Sequence, residues 1–402
     1  MPFITHSDLN STIIIILTMI MGLGSVINYF FIGKYQVLLN ADRRVYVLNI
    51  LDSVLGLSFQ IIKIILINIG WNVIWVYAIG LLSPLVRIFV LRIYFLKHYP
   101  YLSHKENNIK PDFAALGKRK FVLVHQVVGM ITTHTDVTLL TILSPLSNVS
   151  IYNVYNYIYN NIKNIFTSTL YSAVAPSFGR LVGSKSKKVN TYFKYYELLL
   201  TFFLSWLFSS VLLMKIPFVK LYTSGIPDIE YVDSILAVLF MIATYFSLVR
   251  IPAIMMINIT GAFKETQKGA IIEAVLNVAI SIPAFFIMGI KGLLVGTCIS
   301  MFYRLIDVEK YVYHNIINVK LSNWIKLFLV NLISVVAFVI GYYYLMSYEI
   351  VTWVQWLLSG IICALVSAIY FVIIFCAFYN RDFSEIIHSI KNKIKKNKIK
   401  NI

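Results

Sequence analysis

Apolar residues run along this chain in blocks of about twenty, separated by short polar turns. Eleven blocks stand out, roughly 12–32, 45–69, 72–96, 121–145, 150–176, 192–216, 233–259, 269–288, 291–308, 324–346 and 353–378. About 30 Å of hydrocarbon is crossed by ~20 apolar residues in a helix. Lipid offers the backbone no hydrogen-bond partner, so each block must satisfy its own peptide groups as helix. The pattern predicts an all-α, polytopic membrane protein with about 11 transmembrane helices.

Composition agrees: 59% of the 402 residues are hydrophobic and 13% charged, which leaves no room for a soluble catalytic domain. The net charge of +18 would suit a nucleic-acid binder, but its placement excludes that reading. Lys34 and Arg44, then Lys105, Lys110, Lys118 and Arg119, then Arg180, Lys185 and Lys188, then Lys264 and Lys268 fall in alternate loops. The intervening turns are neutral or acidic, as at Gly70-Trp71-Asn72 and at Asp228, Glu230 and Asp233. By the positive-inside rule this predicts a cell-membrane protein with its N-terminus outside and its lysine-rich C-terminus cytoplasmic. That tail is expected to meet anionic membrane lipid and not nucleic acid. Met1 to Asn10 lacks a basic region, so no cleavable signal is expected. Cys298, Cys363 and Cys376 lie in apolar blocks without ligand spacing.

An internal repeat is also visible. Asn40-Ala41-Asp42-Arg43-Arg44 closes one span, and Asp52 follows eleven residues after Ala41. Gly261-Ala262-Phe263-Lys264 closes another, and Glu273 follows eleven after Ala262. Each copy then reaches a glycine-marked turn, Gly70 or Gly289, and ends a further span with Arg87 or Arg304. Spans one to three thus match spans seven to nine, as in carriers built from repeats. The second copy has three spans ahead of it and the first has none. On this reading three N-terminal helices are lacking.

Four passages carry a resemblance: Lys34-Tyr35-Gln36-Val37-Leu38-Leu39-Asn40-Ala41-Asp42, Thr135-Asp136-Val137-Thr138-Leu139-Leu140, Phe263-Lys264-Glu265-Thr266-Gln267-Lys268-Gly269, and the turn and helix from Gly289 to Thr297. The chain resembles the polysaccharide-exporting branch of the multidrug/oligosaccharidyl-lipid/polysaccharide exporter superfamily, the O-antigen and capsular-unit flippases. The resemblance implies two six-helix bundles facing a central cavity, here a two-bundle exporter fold with an incomplete first bundle. It divides the chain into a remnant of the first bundle (1–96), a basic linker (97–120), a second bundle (121–310), two further spans (311–380) and a basic tail (381–402).

Ionisable residues deep in a span cost about 2.5–3.5 kcal/mol each on insertion scales, so they mark function by default. Lys163 lies halfway along the fifth span, where Asn153, Asn156, Asn160, Lys163 and Asn164 trace one polar helix face. Tyr152, Tyr155 and Tyr159 form an aromatic row beside it. A sugar-handling cavity and plain interhelical hydrogen bonding both fit this stripe. Asp136 is expected at a similar depth, facing the same way as His125, where it either couples an ion by releasing Lys163 or forms a fixed ion pair with it. Arg250, two residues before Pro252, either lines a bent, hydrated section or pairs with Glu273. Arg87 either meets an anionic headgroup or enforces topology.

Together these predict a carrier, not an enzyme: a flippase moving polyprenyl-pyrophosphate-linked oligosaccharide for O-antigen or capsule biosynthesis. Lys163, Arg250 and Arg87 would engage the diphosphate, the Asn and Tyr stripe the sugar, and Asp136, His125 and Glu273 the coupling ion. Anionic lipids and polysaccharide assembly proteins are the expected partners. No cofactor or metal is expected, since no metal-ligand spacing, P-loop or nucleotide fingerprint appears. The alternatives are a drug or cation efflux carrier of the same fold and an inactive, shortened relative.

Overall fold

The computed structural model describes residues 11–42, 44–100, 117, 119–186, 188–226, 229–345 and 349–400. Those residues form helices α1 (Ser11–Ile27), α2 (Gly33–Ala41), α3 (Val45–Asn68), α4 (Val73–Gly80), α5 (Leu82–His98), α6 (Arg119–Leu143), α7 (Leu146–Phe166) and α8 (Ser172–Gly183). They continue with α9 (Val189–Tyr222), α10 (Ser234–Val249), α11 (Ile251–Thr260), α12 (Phe263–Met288), α13 (Ile290–Tyr311), α14 (Ser322–Leu345) and α15 (Trp353–Lys400). No strand occurs among the described residues. The all-α polytopic membrane class expected from the hydropathy pattern is the class observed.

Eight helices among the described residues are long and apolar enough to cross a membrane. The pattern predicted eleven. The other three positions, α6, α7 and α13, are helical too, but each carries too much polar side chain to pass as a hydrocarbon-facing rod. Thr132, Thr133 and Asp136 dilute α6, the Asn face and Lys163 dilute α7, and Arg304, Asp307 and Glu309 dilute α13.

The chain separates into two compact units, Met1–Phe113 and Ala114–Ile402. In the first, α1 and α2 join through a π-helical turn at Asn28–Ile32 to make one continuous span. Ile32, Leu39, Leu48, Leu91 and Tyr99 form its small core. Asp42 accepts the Tyr99 hydroxyl at 2.5 Å and pairs with Arg44 at 2.9 Å. Burial and the Asp42 carboxylate push the Tyr99 phenol up to about 12. Apolar side chains such as Leu57, Ile61 and Phe89 point outward, as lipid-facing helices require.

In the second unit the long α9 forms a central mast against which α10, α14 and α15 pack. Its 34 residues reach roughly 50 Å at 1.5 Å per residue. One core gathers Phe193, Leu204, Phe208, Leu248, Met255, Leu305 and Phe328. Another packs Tyr152, Tyr155 and Tyr159 against Phe240, the last two rings stacked on it and Tyr152 tilted. The α12–α13 hairpin turns at Gly289 and is drawn tight by Gly292 and Gly296. A Cβ at Gly292 would stand 2.0 Å from the Ala284 carbonyl oxygen, and one at Gly296 2.2 Å from Ser281 Oγ. Glycines four apart let two helix backbones approach closely in lipid, and that approach sets where Thr297 and Arg304 point.

Candidate functional site

The three polar helices meet α10 around a narrow cleft of about 50 Å³ in the second unit. Thr132, Thr133 and Asp136 come from α6, Asn156, Asn160 and Lys163 from α7, and Thr297 from α13. The polar residues that dilute α6 and α7 are therefore brought to one place, whereas Arg304, Asp307 and Glu309, which dilute α13, lie outside the cleft lining.

Asp136 is almost fully buried, at 3% exposure. Thr297 Oγ1 donates to it, 3.0 Å from Oδ1 and 2.8 Å from Oδ2, and the Tyr152 hydroxyl donates to Oδ2 at 3.2 Å. Asn277 Nδ2 in turn donates to Thr297 Oγ1 at 2.9 Å. The carboxylate is thus held by hydroxyls. No ion pair joins it to Lys163, although both line the cleft. The expected Asp136–Lys163 pair is absent because Thr297, carried in by the tight α12–α13 approach, takes the carboxylate first.

Lys163 makes no hydrogen bond or ion pair among the described residues, and it lies within electrostatic range of Arg250 and Glu273. Those two pair directly, Arg250 Nη1 standing 2.8 Å from Glu273 Oε1. Of the two readings of Arg250, the pairing is the one observed. The helix breaks at Arg250 between α10 and α11, because Pro252 has no N–H for the carbonyl of Leu248. That break delivers the guanidinium sideways. Arg304 Nε lies 3.6 Å from Glu273 Oε2, and Arg304 also pairs with Asp307 and donates to the Thr266 carbonyl. Two arginines and two acids cancel, so among the described residues Lys163 and Asp136 are the charges lining the cleft that stand outside ion pairs.

The remaining predicted residues sort clearly. Asn160 donates to Asn156 at 2.8 Å along the polar face of α7, whereas Asn153 is exposed. Tyr159 donates to the Ala237 carbonyl at 3.0 Å and Tyr155 to that of Tyr231 at 2.9 Å, so these rings act as walls packed on Phe240. His125 Nε2 sits 3.0 Å from the Phe263 carbonyl oxygen at the start of α12. Arg87 belongs to the first unit, where its Nη2 lies 2.9 Å from Asp52 Oδ2. At the start of α10, Asp233 caps the helix by accepting from the N–H groups of Ile235 and Leu236, each at 3.0 Å, and pairs with Lys291 at 2.9 Å. Burial pushes its carboxyl up, but those donors and the ammonium outweigh it and hold the group below the usual carboxylate range.

Sequence reasoning missed Thr297 and Asn277 as the partners of Asp136. The Gly292-x-x-x-Gly296 spacing was the available signal, since it marks a helix pair close enough for short side chains to bridge. It also missed two fully buried acids away from the cleft, Glu197, which accepts the Tyr313 hydroxyl, and Glu309. No metal-holding cluster of His, Cys, Asp or Glu occurs among the described residues.

No protein-family model matches the chain, and neither does any curated protein. Its fold is similar to that of a solved structure titled "Lipid II flippase MurJ, inward closed conformation", with a TM-score of 0.66 at 16% identity, over 91% of this chain and 75% of that one. At such identity the likeness establishes the architecture, an all-α, multi-pass membrane fold.

Proposed function

We propose that the chain is a flippase for lipid-linked saccharide, carrying polyprenyl-pyrophosphate-linked oligosaccharide across the cell membrane for surface polysaccharide assembly. One observation carries the reading: Lys163 places an ammonium outside any ion pair in a membrane-embedded cleft lined by amides and hydroxyls. A diphosphate crossing hydrocarbon needs a cation to meet it, and a glycan needs hydrogen-bonding groups that repay its lost water. The fold likeness to a lipid II flippase supports a lipid-linked cargo.

In this reading Lys163 meets the diphosphate, and Arg250 joins by exchanging Glu273 for phosphate. Asn156 and Asn160 contact sugar hydroxyls, while Tyr152 and Tyr159 keep the wall rigid. Asp136 serves as the coupling carboxylate, because its hydroxyl ligands serve a carboxylate as well as a bound cation or a proton. The basic loops face the cytoplasm, and the chain acts as a carrier and not as an enzyme.

The test is complementation. In cells lacking their own transporter for such a lipid, the chain restores surface glycan, and Lys163→Ala abolishes it while membrane insertion stays intact. Normal surface glycan with Lys163→Ala would remove Lys163 from the mechanism.

A further inference from the structure

A second buried cation lies away from the cleft. Lys215 sits near the end of α9 and is 7% exposed, and its Nζ has no hydrogen-bond partner among the described residues. Among the described residues no carboxylate pairs with it, and no charged side chain lies within electrostatic range. An ammonium held this way carries a large desolvation cost with nothing to offset it.

The same lysine lines a pocket of about 510 Å³ between α9, α10 and α14, walled by Ile216, Val238 and Val339. Two residues beyond Lys215, Pro217 has no N–H to give the carbonyl of Leu213, and Leu213 lines the pocket too. The pocket therefore offers one positive donor near a carbonyl that lacks its i+4 helical partner, and the rest of its lining is mainly apolar, with Ser234, Tyr342 and Tyr343 adding hydroxyls. A small hydrophilic anion would match only the floor. The mouth points to the rest of the ligand: Tyr343 lines the pocket and is 74% exposed, and Val336 and Ile340 continue its exposed face along α14 at helical spacing. Acyl chains laid on that stripe would bring a headgroup phosphate to the ammonium.

We propose that Lys215 forms the floor of a binding site for the phosphate of an anionic phospholipid whose acyl chains lie along the Val336–Ile340–Tyr343 face of α14. The proposal is independent of the transported cargo.

The full chain, purified from nanodiscs of phosphatidylcholine with or without phosphatidylglycerol, is assayed by native mass spectrometry for retained lipid. Phosphatidylglycerol is retained about tenfold over phosphatidylcholine, a difference of about 1.4 kcal/mol. Lys215→Met loses this preference and Lys215→Arg keeps it. Equal retention of the two lipids by the unaltered chain, a comparison that needs no variant, would overturn the site. So would an undiminished preference in a folded Lys215→Met protein, which keeps the lysine-rich tail. Inorganic phosphate alone should leave the melting temperature unchanged in phosphatidylcholine. A Lys215-dependent rise there, matching that given by phosphatidylglycerol, would overturn the lipid as the source.

Discussion

Arg87 Nη2 stands 2.9 Å from Asp52 Oδ2, and the pair has a counterpart in the second unit, where Arg304 Nε stands 3.6 Å from Glu273 Oε2. Asp52 and Glu273 hold matching places in the sequence repeat, as do Arg87 and Arg304. In each unit an acid on one span therefore bridges to an arginine on the next. The repeat preserves a physical contact as well as a spacing. The settings differ: the Asp52 side chain is 46% exposed and that of Glu273 only 6%.

That difference sets the first expectation. Glu273→Gln leaves Arg250 without its carboxylate in a largely buried setting, while Arg304 keeps only Asp307 as an ion partner, and costs about 3–5 kcal/mol. Asp52→Asn breaks a half-exposed pair and costs about 0–1 kcal/mol. Unfolding of the purified variants in detergent measures both, and equal losses would contradict the assignment of Glu273 as the buried keystone.

Gly296 lets α12 and α13 close on each other. Valine there must push Ser281 away, and overpacking of this kind costs about 1–3 kcal/mol. Because Thr297 moves with the backbone, Gly296→Val should also weaken the hold on Asp136. A thermal melt of Gly296→Val at or above that of the unaltered protein would refute the close approach.

Much of this architecture is legible in the sequence. Hydropathy finds the helices, because in lipid the backbone leaves no other solution, and the proline after Arg250 marks where the span breaks. The polar face of α7 is legible from its three- and four-residue steps. What the sequence conceals is which polar groups meet. Asp136 and Lys163 sit at similar depth, yet partner choice depended on which neighbouring helix came closer. That was decided on α12 and α13 by Gly292 and Gly296, more than a hundred residues away along the chain. A sugar-handling cavity and interhelical hydrogen bonding both fit the tyrosine row in sequence; the hydroxyls of Tyr155 and Tyr159 donate to the backbone carbonyls of Tyr231 and Ala237.

Thr297 joins Asp136 to Asn277. Thr297→Val keeps the shape, removes the hydroxyl and leaves a buried carboxylate short of a donor, at a cost of about 1–3 kcal/mol. In an Asp136→Asn background the same change should cost less, since a neutral amide tolerates the loss better. A double-mutant cycle with no coupling would show that Thr297 and Asp136 are neighbours without interaction.

Asp233 makes the stability of the second unit sensitive to acid. Its carboxyl is held below the usual range in the folded protein, so it stabilises the fold above the unfolded-state value of about 4. That contribution falls away as pH drops through the lower folded value. Between about pH 5 and 7 the term is flat. Asp233→Asn should remove the acid limb, so the melting-temperature gap between the two proteins narrows steadily below about pH 4. A gap that widens in acid would reverse the sign and refute the capping and pairing role.

Transport itself is tested most directly in sealed liposomes holding the purified chain and a polyprenyl-pyrophosphate-linked oligosaccharide. A glycan-cleaving enzyme added outside reports how much substrate reaches the outer leaflet. The account predicts that the outer-leaflet fraction rises from about half to near completeness with the unaltered chain, and that Lys163→Ala, inserted equally well, slows the rise about a hundredfold or more, which is ~2.7 kcal/mol of lost transition-state stabilisation. Exposure at the same rate with Lys163→Ala, or none beyond the initial outer half with the unaltered chain, would contradict it.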